Sequence, residues 1–294
     1  MKRSYRVVDV FTSRPFLGNP VAVVLDAEGL DTGEMQAIAG WTNLSETTFV
    51  LPPLSGEADY RLRIFTPRSE LPFAGHPTLG SAHAALEAGR VVPRSSGRLI
   101  QECSIGLVEL TVAQTGDDRR LSFALPPARL DALGKADLAE LESILGSKLK
   151  IEPAIVNVGP VWLIAHMDDA GSVIGLHPDL ARLADLERRL GVTGLTVFGP
   201  HQAGDAAIEV RTFAPSCGVT EDPVCGSGNG SVAAFLWARG LLPADGKDYL
   251  ATQGRCVGRD GRIEVNVDAG GRIRIGGSCV TCVEGSIVGC ELGA

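Results

Sequence analysis

The sequence has no run of basic residues, no long apolar run and few aromatics, 5% of the chain. With 27 Lys+Arg against 35 Asp+Glu the formal net charge is -8. Such a surface repels phosphates, so no nucleic-acid partner is expected. The first apolar stretch, Val7-Val8-Asp9-Val10-Phe11, is broken by an acid and is too short for a signal-peptide core or a bilayer span. It reads as the first strand of a soluble, cytoplasmic protein with no membrane partner. The seven cysteines form no dense framework, which fits reduced thiols better than disulfides. Cys279-Val-Thr-Cys282 has the CxxC spacing but lacks a second pair and lies in an alternating stretch read as a strand, so no metal is expected. Gly226-Ser-Gly228-Asn-Gly230 has neither the Lys-Ser/Thr of a phosphate loop nor the GxGxxG register. No cofactor is expected.

What the chain does have is length, turns and self-similarity. Its 294 residues suit two lobes, and 36 glycines with 17 prolines point to many turns and close backbone approaches. Arg63-Ile-Phe65-Thr-Pro67 recurs as Arg211-Thr-Phe213-Ala-Pro215, and the same offset sets Thr48-Phe-Val-Leu51-Pro52 on Thr196-Val-Phe-Gly199-Pro200. After a three-residue insertion Pro72-Phe-Ala-Gly75-His76 falls on Pro223-Val-Cys-Gly226-Ser227, Ala82 on Ala233 and Gly89 on Gly240. A repeat of this kind sets architecture before any motif is named. The expected order in each half is strand, turn with proline, strand, helix, two strands, and a glycine turn opening a second helix. The helices are expected near residues 33–41, 76–88, 178–190 and 227–239. The N-terminal lobe is expected over residues 1–128 and the C-terminal lobe over 129–294, with residues 129–150, which carry Asp137-Leu-Ala-Glu-Leu-Glu-Ser at helical spacing, connecting the lobes. Residues 254–287 should supply closing strands that pack back on the first lobe.

Duplicated lobes should set equivalent turns face to face across a cleft, a favoured ligand position. A small-residue turn that runs into a helix offers free N–H groups and the positive end of the helix dipole, which suits a carboxylate. Gly75 and Gly226 are the residues for that role, although such glycines also serve merely to start a helix tightly. Near them in sequence lie Glu46, His76 and Asp222. Taken singly, each has a plainer reading: Glu46 as a solvated charge before a strand, His76 as a helix-end hydrogen bonder, Asp222 as a turn former before Pro223. A histidine near neutrality also transfers protons. Cys225 sits where a helix N-terminus lowers a thiol pKa, but its repeat partner is Ala74, so no facing pair of thiols exists.

The strings Val8-Asp9-Val10-Phe11, Phe16-Leu-Gly18-Asn19-Pro20-Val-Ala-Val-Val24, Asn43-Leu-Ser-Glu46-Thr-Thr-Phe49, Leu71-Pro-Phe-Ala-Gly75-His76-Pro77-Thr78 and Glu221-Asp222-Pro223-Val-Cys225-Gly226-Ser227 resemble the PhzF-like family of phenazine biosynthesis, within the diaminopimelate epimerase-like fold. The resemblance spans nearly the whole chain with its motifs in order. It implies an α/β (α+β) fold of two pseudo-symmetric lobes, each a mixed strand barrel round a central helix, and usually a homodimer. It implies a cofactor-independent isomerase acting on a small carboxylated substrate, in which Glu46 takes a proton from one carbon and returns it to another. His76 and Asp222 would assist, with Ser227, Asn19, Cys225 and the N–H groups of Gly75 and Gly226 around the substrate. One departure stands out: Cys225 replaces the threonine common at that place. This keeps open an amino-acid or hydroxy-acid epimerase or racemase using Cys225, and beside it a catalytically silent ligand-binding protein of the same fold.

Overall fold

The computed structural model describes residues 2–115, 118–243 and 248–288. The chain divides into two compact units, one of Met1–Phe123 with the chain from Gly276 onward, the other of Ala124–Ile275.

The first unit runs β1 (Lys2–Val10), β2 (Asn19–Val24), α1 (Thr32–Thr42), β3 (Thr47–Leu51), β4 (Tyr60–Phe65), β5 (Glu70–Leu71), α2 (Gly75–Glu87), β6 (Arg98–Cys103), β7 (Gly106–Thr115) and β8 (Asp118–Ala124). The second runs β9 (Arg129–Ala132), α3 (Lys135–Leu145), β10 (Ala154–Asn157), β11 (Val161–His166), α4 (Ala170–Ile174), α5 (Leu180–Leu190), β12 (Gly194–Pro200), β13 (Ile208–Ala214), β14 (Val219–Asp222), α6 (Gly226–Arg239), β15 (Asp248–Gln253) and β16 (Gly261–Val267). The last strand, β17 (Ile273–Val288), pairs with β1 and β8.

In the first unit the pairings β1–β2, β2–β3, β3–β4, β4–β6, β6–β7, β7–β8, β8–β17 and β17–β1 close a barrel. The β2–β3 and β4–β6 pairs are parallel, and β1–β2, β3–β4, β6–β7, β7–β8 and β17–β1 are antiparallel. Helix α2 fills it, buried on every face from His76 to Ala85 and touching β1, β2, β3 and β4. At the closest approach only a glycine fits. A Cβ on Gly80 would lie 2.4 Å from Val21 Cγ1 and 2.9 Å from Val10 Cγ2.

The second unit repeats the plan. β11–β12 and β13–β15 are its parallel pairs, β10–β11, β12–β13 and β15–β16 its antiparallel ones. Helix α6 is buried from Gly228 to Leu236 and touches β10, β11, β12 and β16. The repeat extends to caps. Asp31 caps α1 by accepting from Glu34 N–H and Asp179 caps α5 by accepting from Arg182 N–H, and both central helices are followed by a left-handed glycine with φ of 65°, Gly89 and Gly240. Arg63 forms a two-pronged ion pair with Glu70 and lies over the Phe65 ring; Arg211 does the same with Glu221 over Phe213.

Residues 129–150 form part of the second unit: Leu141, Ile144 and Leu145 of α3 join Leu183 and Leu186 of α5 in its core. The tail supplies the closing strands β16 and β17, and Cys279 and Cys282 lie within β17. A register shift in the β1–β17 ladder leaves Cys282 between the pairs Val7–Val283 and Val8–Thr281, the geometry of a bulge.

Candidate active site

In the first unit, α1 ends at Asn43 in the left-handed conformation, φ 54°, and the chain reverses to bring Glu46 to the start of β3. The Glu46 carbonyl accepts from Ala22 N–H, tying it to the parallel strand β2. Helix α2 then delivers His76, whose Nε2 lies 3.3 Å from Glu46 Oε2, with both side chains largely shielded. Burial pushes the imidazole down to about 3, opposed by its bond to the Pro20 carbonyl. The ring is therefore neutral over the physiological range. A neutral imidazole has one N–H, and spending it on Pro20 leaves Nε2 as a lone-pair acceptor toward Glu46. Asn19, one residue before Pro20, opens β2 and is fully buried.

The three non-glycine residues with positive φ in the described chain are Phe11, Phe16 and Asn43. All lie in the two loops that lead into Asn19 and Glu46. Strained backbone of this kind persists where its surroundings demand it, often at functional sites. Gly75 starts α2 with no side-chain cap from Ala74, and Pro77 has no N–H to satisfy. A Cβ at Gly75 would lie 2.9 Å from Phe123 Cζ, so the glycine also makes room for that ring.

In the second unit, Asp222 ends β14 and accepts from Val224 N–H, an Asx turn that leads through Pro223 into α6. Burial pushes its carboxyl up to about 6, against the Val224 and Cys225 hydrogen bonds. Cys225 is the N-cap of α6, its Sγ accepting from Gly228 N–H at 3.3 Å. Burial first, and then the Asp222 charge, push the thiol well above its ordinary value. It is thus held as a thiol rather than a thiolate. Ser227 Oγ accepts from Trp162 Nε1 at 3.0 Å and lies 3.6 Å from Cys225 Sγ. Gly228 has a packing reason, since a Cβ there would lie 2.8 Å from Thr196 Oγ1 and 2.9 Å from Thr212 Oγ1. The Cys225 cap takes one N–H of the first turn and leaves those of Gly226 and Ser227 outside it.

The sequence reading missed Gln253 and Trp162. Gln253, buried on β15, accepts from Cys225 N–H and Asn229 Nδ2 and donates to the Asp222 carbonyl, so one amide holds the whole turn. In the first unit Gln101, buried on β6, donates to Thr78 and accepts from Tyr60. The signal was available in principle: Thr78 and Asn229 share the repeat register, and each needs a buried partner. The two units are not chemically equal. Glu46 matches Gly194 in the 148-residue register, where a Cβ would lie 2.2 Å from the Phe213 carbonyl. A second carboxylate is sterically barred there.

Among the described residues no group of three or more His, Cys, Asp or Glu is placed to hold a metal, and no helix is long and apolar enough to cross a membrane.

The family of phenazine biosynthesis-like proteins matches residues 8–285. The chain is 40% identical to antisense-enhancing sequence 1 of Schizosaccharomyces pombe, covering 97% of this chain and 98% of that one. It is 34% identical to the trans-2,3-dihydro-3-hydroxyanthranilate isomerase of Pseudomonas aeruginosa, over 96% and 98% of the two chains. Its fold is similar to that of a PhzF-family phenazine biosynthesis protein from Bacillus anthracis, with a TM-score of 0.85 at 24% identity over 98% and 99%. The architecture is the diaminopimelate epimerase-like one. The chain therefore belongs to the phenazine biosynthesis-like family and is an enzyme, an isomerase as several of its relatives, the Pseudomonas aeruginosa protein among them, are named.

Proposed function

We propose that this enzyme moves a proton between carbons of a small carboxylated substrate without a cofactor, with Glu46 as the group that accepts and returns it. The observation that carries the reading is the Glu46–His76 pair: a carboxylate largely shielded from water, 3.3 Å from an imidazole that burial keeps neutral. A neutral acceptor beside Glu46 holds the carboxyl in place when it carries the abstracted proton. It does not neutralise the carboxylate, as an imidazolium would, so Glu46 keeps its basicity. Asp222, with its carboxyl pushed up to about 6, is a group that gives or takes a proton near neutrality, and we assign it an assisting role. Gly75, Gly226 and Ser227 offer N–H groups to the substrate carboxylate, where developing negative charge is stabilised without reorganisation. Asn19 and the Ser227 hydroxyl complete the polar contacts.

The relative from Pseudomonas aeruginosa is named for isomerising trans-2,3-dihydro-3-hydroxyanthranilate, and a small cyclic or unsaturated carboxylic acid is the substrate class we assign here. The homodimer and the cytoplasmic setting belong to the same proposal. Use of Cys225 as an epimerase base is disfavoured by its burial, its raised pKa and its employment as the α6 cap. The test is turnover of a panel of small carboxylic acids in deuterated water, followed by mass spectrometry and NMR of the product. Isomerised product is the expected result. Inversion at a stereocentre abolished by Cys225→Ser, or binding with no reaction, would overturn the proposal.

A further inference from the structure

The duplication supplies a comparison inside the molecule. In the second unit residues 167–179 link β11 to α5, whereas in the first only residues 25–31 link β2 to α1. The longer link contains α4, which lies on β12 and β13. There the guanidinium Nη1 of Arg211 donates to the carbonyls of Val173 and Leu176, at 3.1 and 2.6 Å, with that of Ile174 at 3.4 Å. Gly199 permits the approach: a Cβ on it would lie 2.5 Å from the Asp169 carbonyl.

The first unit has the same strands without the helix. Leu51 stands at the Gly199 position and Arg63 at the Arg211 position, and a cavity of about 240 Å³ opens there. Leu30, Met35, Leu51 and Pro52 give it apolar walls, and Arg61 and Arg63 give it two guanidinium groups. Arg63 bonds Glu70 and Thr32 through Nε and Nη2. Arg61 has a buried Nε with no hydrogen-bond partner among the described residues. A buried donor without an acceptor is destabilising, and a ligand that supplies one relieves that cost. Arg61 stands at the position of Glu209 in the repeat, so the first unit carries a second cation where the other carries an acid.

We propose that this cavity is a ligand site for a small carboxylate with an apolar body, separate in sequence and in its residues from Glu46 and His76. The carboxylate would supply to Arg61, and to the free edge of Arg63, the acceptor oxygens that α4 supplies to Arg211. A planar guanidinium prefers such a two-oxygen partner. The body would lie against Leu30, Met35, Leu51 and Pro52, where burial of apolar area adds to affinity. Glu28, also among the lining residues, would repel a dianion more than a monoanion.

Benzoate, with benzyl alcohol as its uncharged counterpart, is the probe. Backbone amide shifts of the full chain are followed by NMR as each is added. Benzoate should move residues 28–30, 51–54 and 61–63 in a saturable way, benzyl alcohol at least tenfold more weakly, and Arg61→Gln should weaken benzoate at least tenfold while its spectrum stays folded. A crystal soaked in benzoate gives a second reading that needs no variant: the carboxylate should lie within hydrogen-bond distance of the Arg61 guanidinium. Equal binding of the two probes, equal binding by Arg61→Gln, shifts confined to the region of Glu46 and His76, or no shifts at millimolar benzoate would each overturn the proposal.

Discussion

Acidification should unfold this protein partly through His76, and the structure gives the size of the effect. Burial takes the imidazole from 6.5 to about 3, so the folded state refuses a proton that the unfolded chain accepts. Between those values the unfolded state binds more protons, and stability rises with pH. The His76 contribution is therefore complete above pH 6.5 and is lost as pH falls toward 3. One pKa unit corresponds to about 1.4 kcal/mol, so the fall from pH 6.5 to 5 removes about 2 kcal/mol. Asp222 acts in the opposite direction: its carboxyl, raised to about 6, makes stability fall as pH rises from about 4 to 6. The two must be separated by comparison. His76→Asn keeps an N–H for the Pro20 carbonyl and does not titrate. Urea unfolding of both proteins at pH 7 and pH 5, at constant ionic strength, should show wild type losing about 2 kcal/mol more than the variant. Equal losses would refute the reasoning that His76 is buried and neutral.

The two equivalent ion pairs should behave unequally. Arg211 and Glu221 have side chains only 7% and 8% exposed, whereas Arg63 and Glu70 are 23% and 32% exposed. Glu221→Gln should cost about 3–5 kcal/mol in chemical unfolding and Glu70→Gln about 0–1 kcal/mol; similar values would remove burial as the cause. Gln253→Leu leaves Cys225 N–H and Asn229 Nδ2 without their acceptor, and a loss of about 2–4 kcal/mol is expected from unpaired buried donors, with full thermal stability as the contrary result. Cys225→Ser retains a capping oxygen for Gly228 and should keep most turnover; a loss beyond about a hundredfold with the fold intact would make the thiol a participant.

The architecture was legible because the duplication is written twice in the same register. Arg63-x-Phe65 and Arg211-x-Phe213 are a visible repeat, and each proves to be an arginine between a glutamate and an aromatic face. The four anticipated helices all form. Helix α3 was legible as helical spacing within the connecting segment, but not its packing: Leu141, Ile144 and Leu145 find their partners in α4, α5, the strands and the loops between them. The candidate site was half legible. Glu46, His76 and Asp222 stood out near the glycine turns, but their roles came from a resemblance, since nothing local distinguishes a shielded glutamate from a solvated one. Gln253 went unnoticed because a lone glutamine has no motif; its meaning comes from three partners distant in sequence. Cys225 looked like a reactive thiol at a helix start, but burial there outweighs the helix dipole.

The most direct test of the central claim is the rate of a Glu46→Gln protein on its identified substrate, measured beside wild type in deuterated water. Gln keeps the shape of the side chain and removes its capacity to take a proton. Turnover should fall by roughly 10² to 10⁴ or more while substrate binding and the amide spectrum persist, and wild-type product should carry partial solvent deuterium. A Glu46→Gln protein that turns over at nearly the wild-type rate would contradict the assignment.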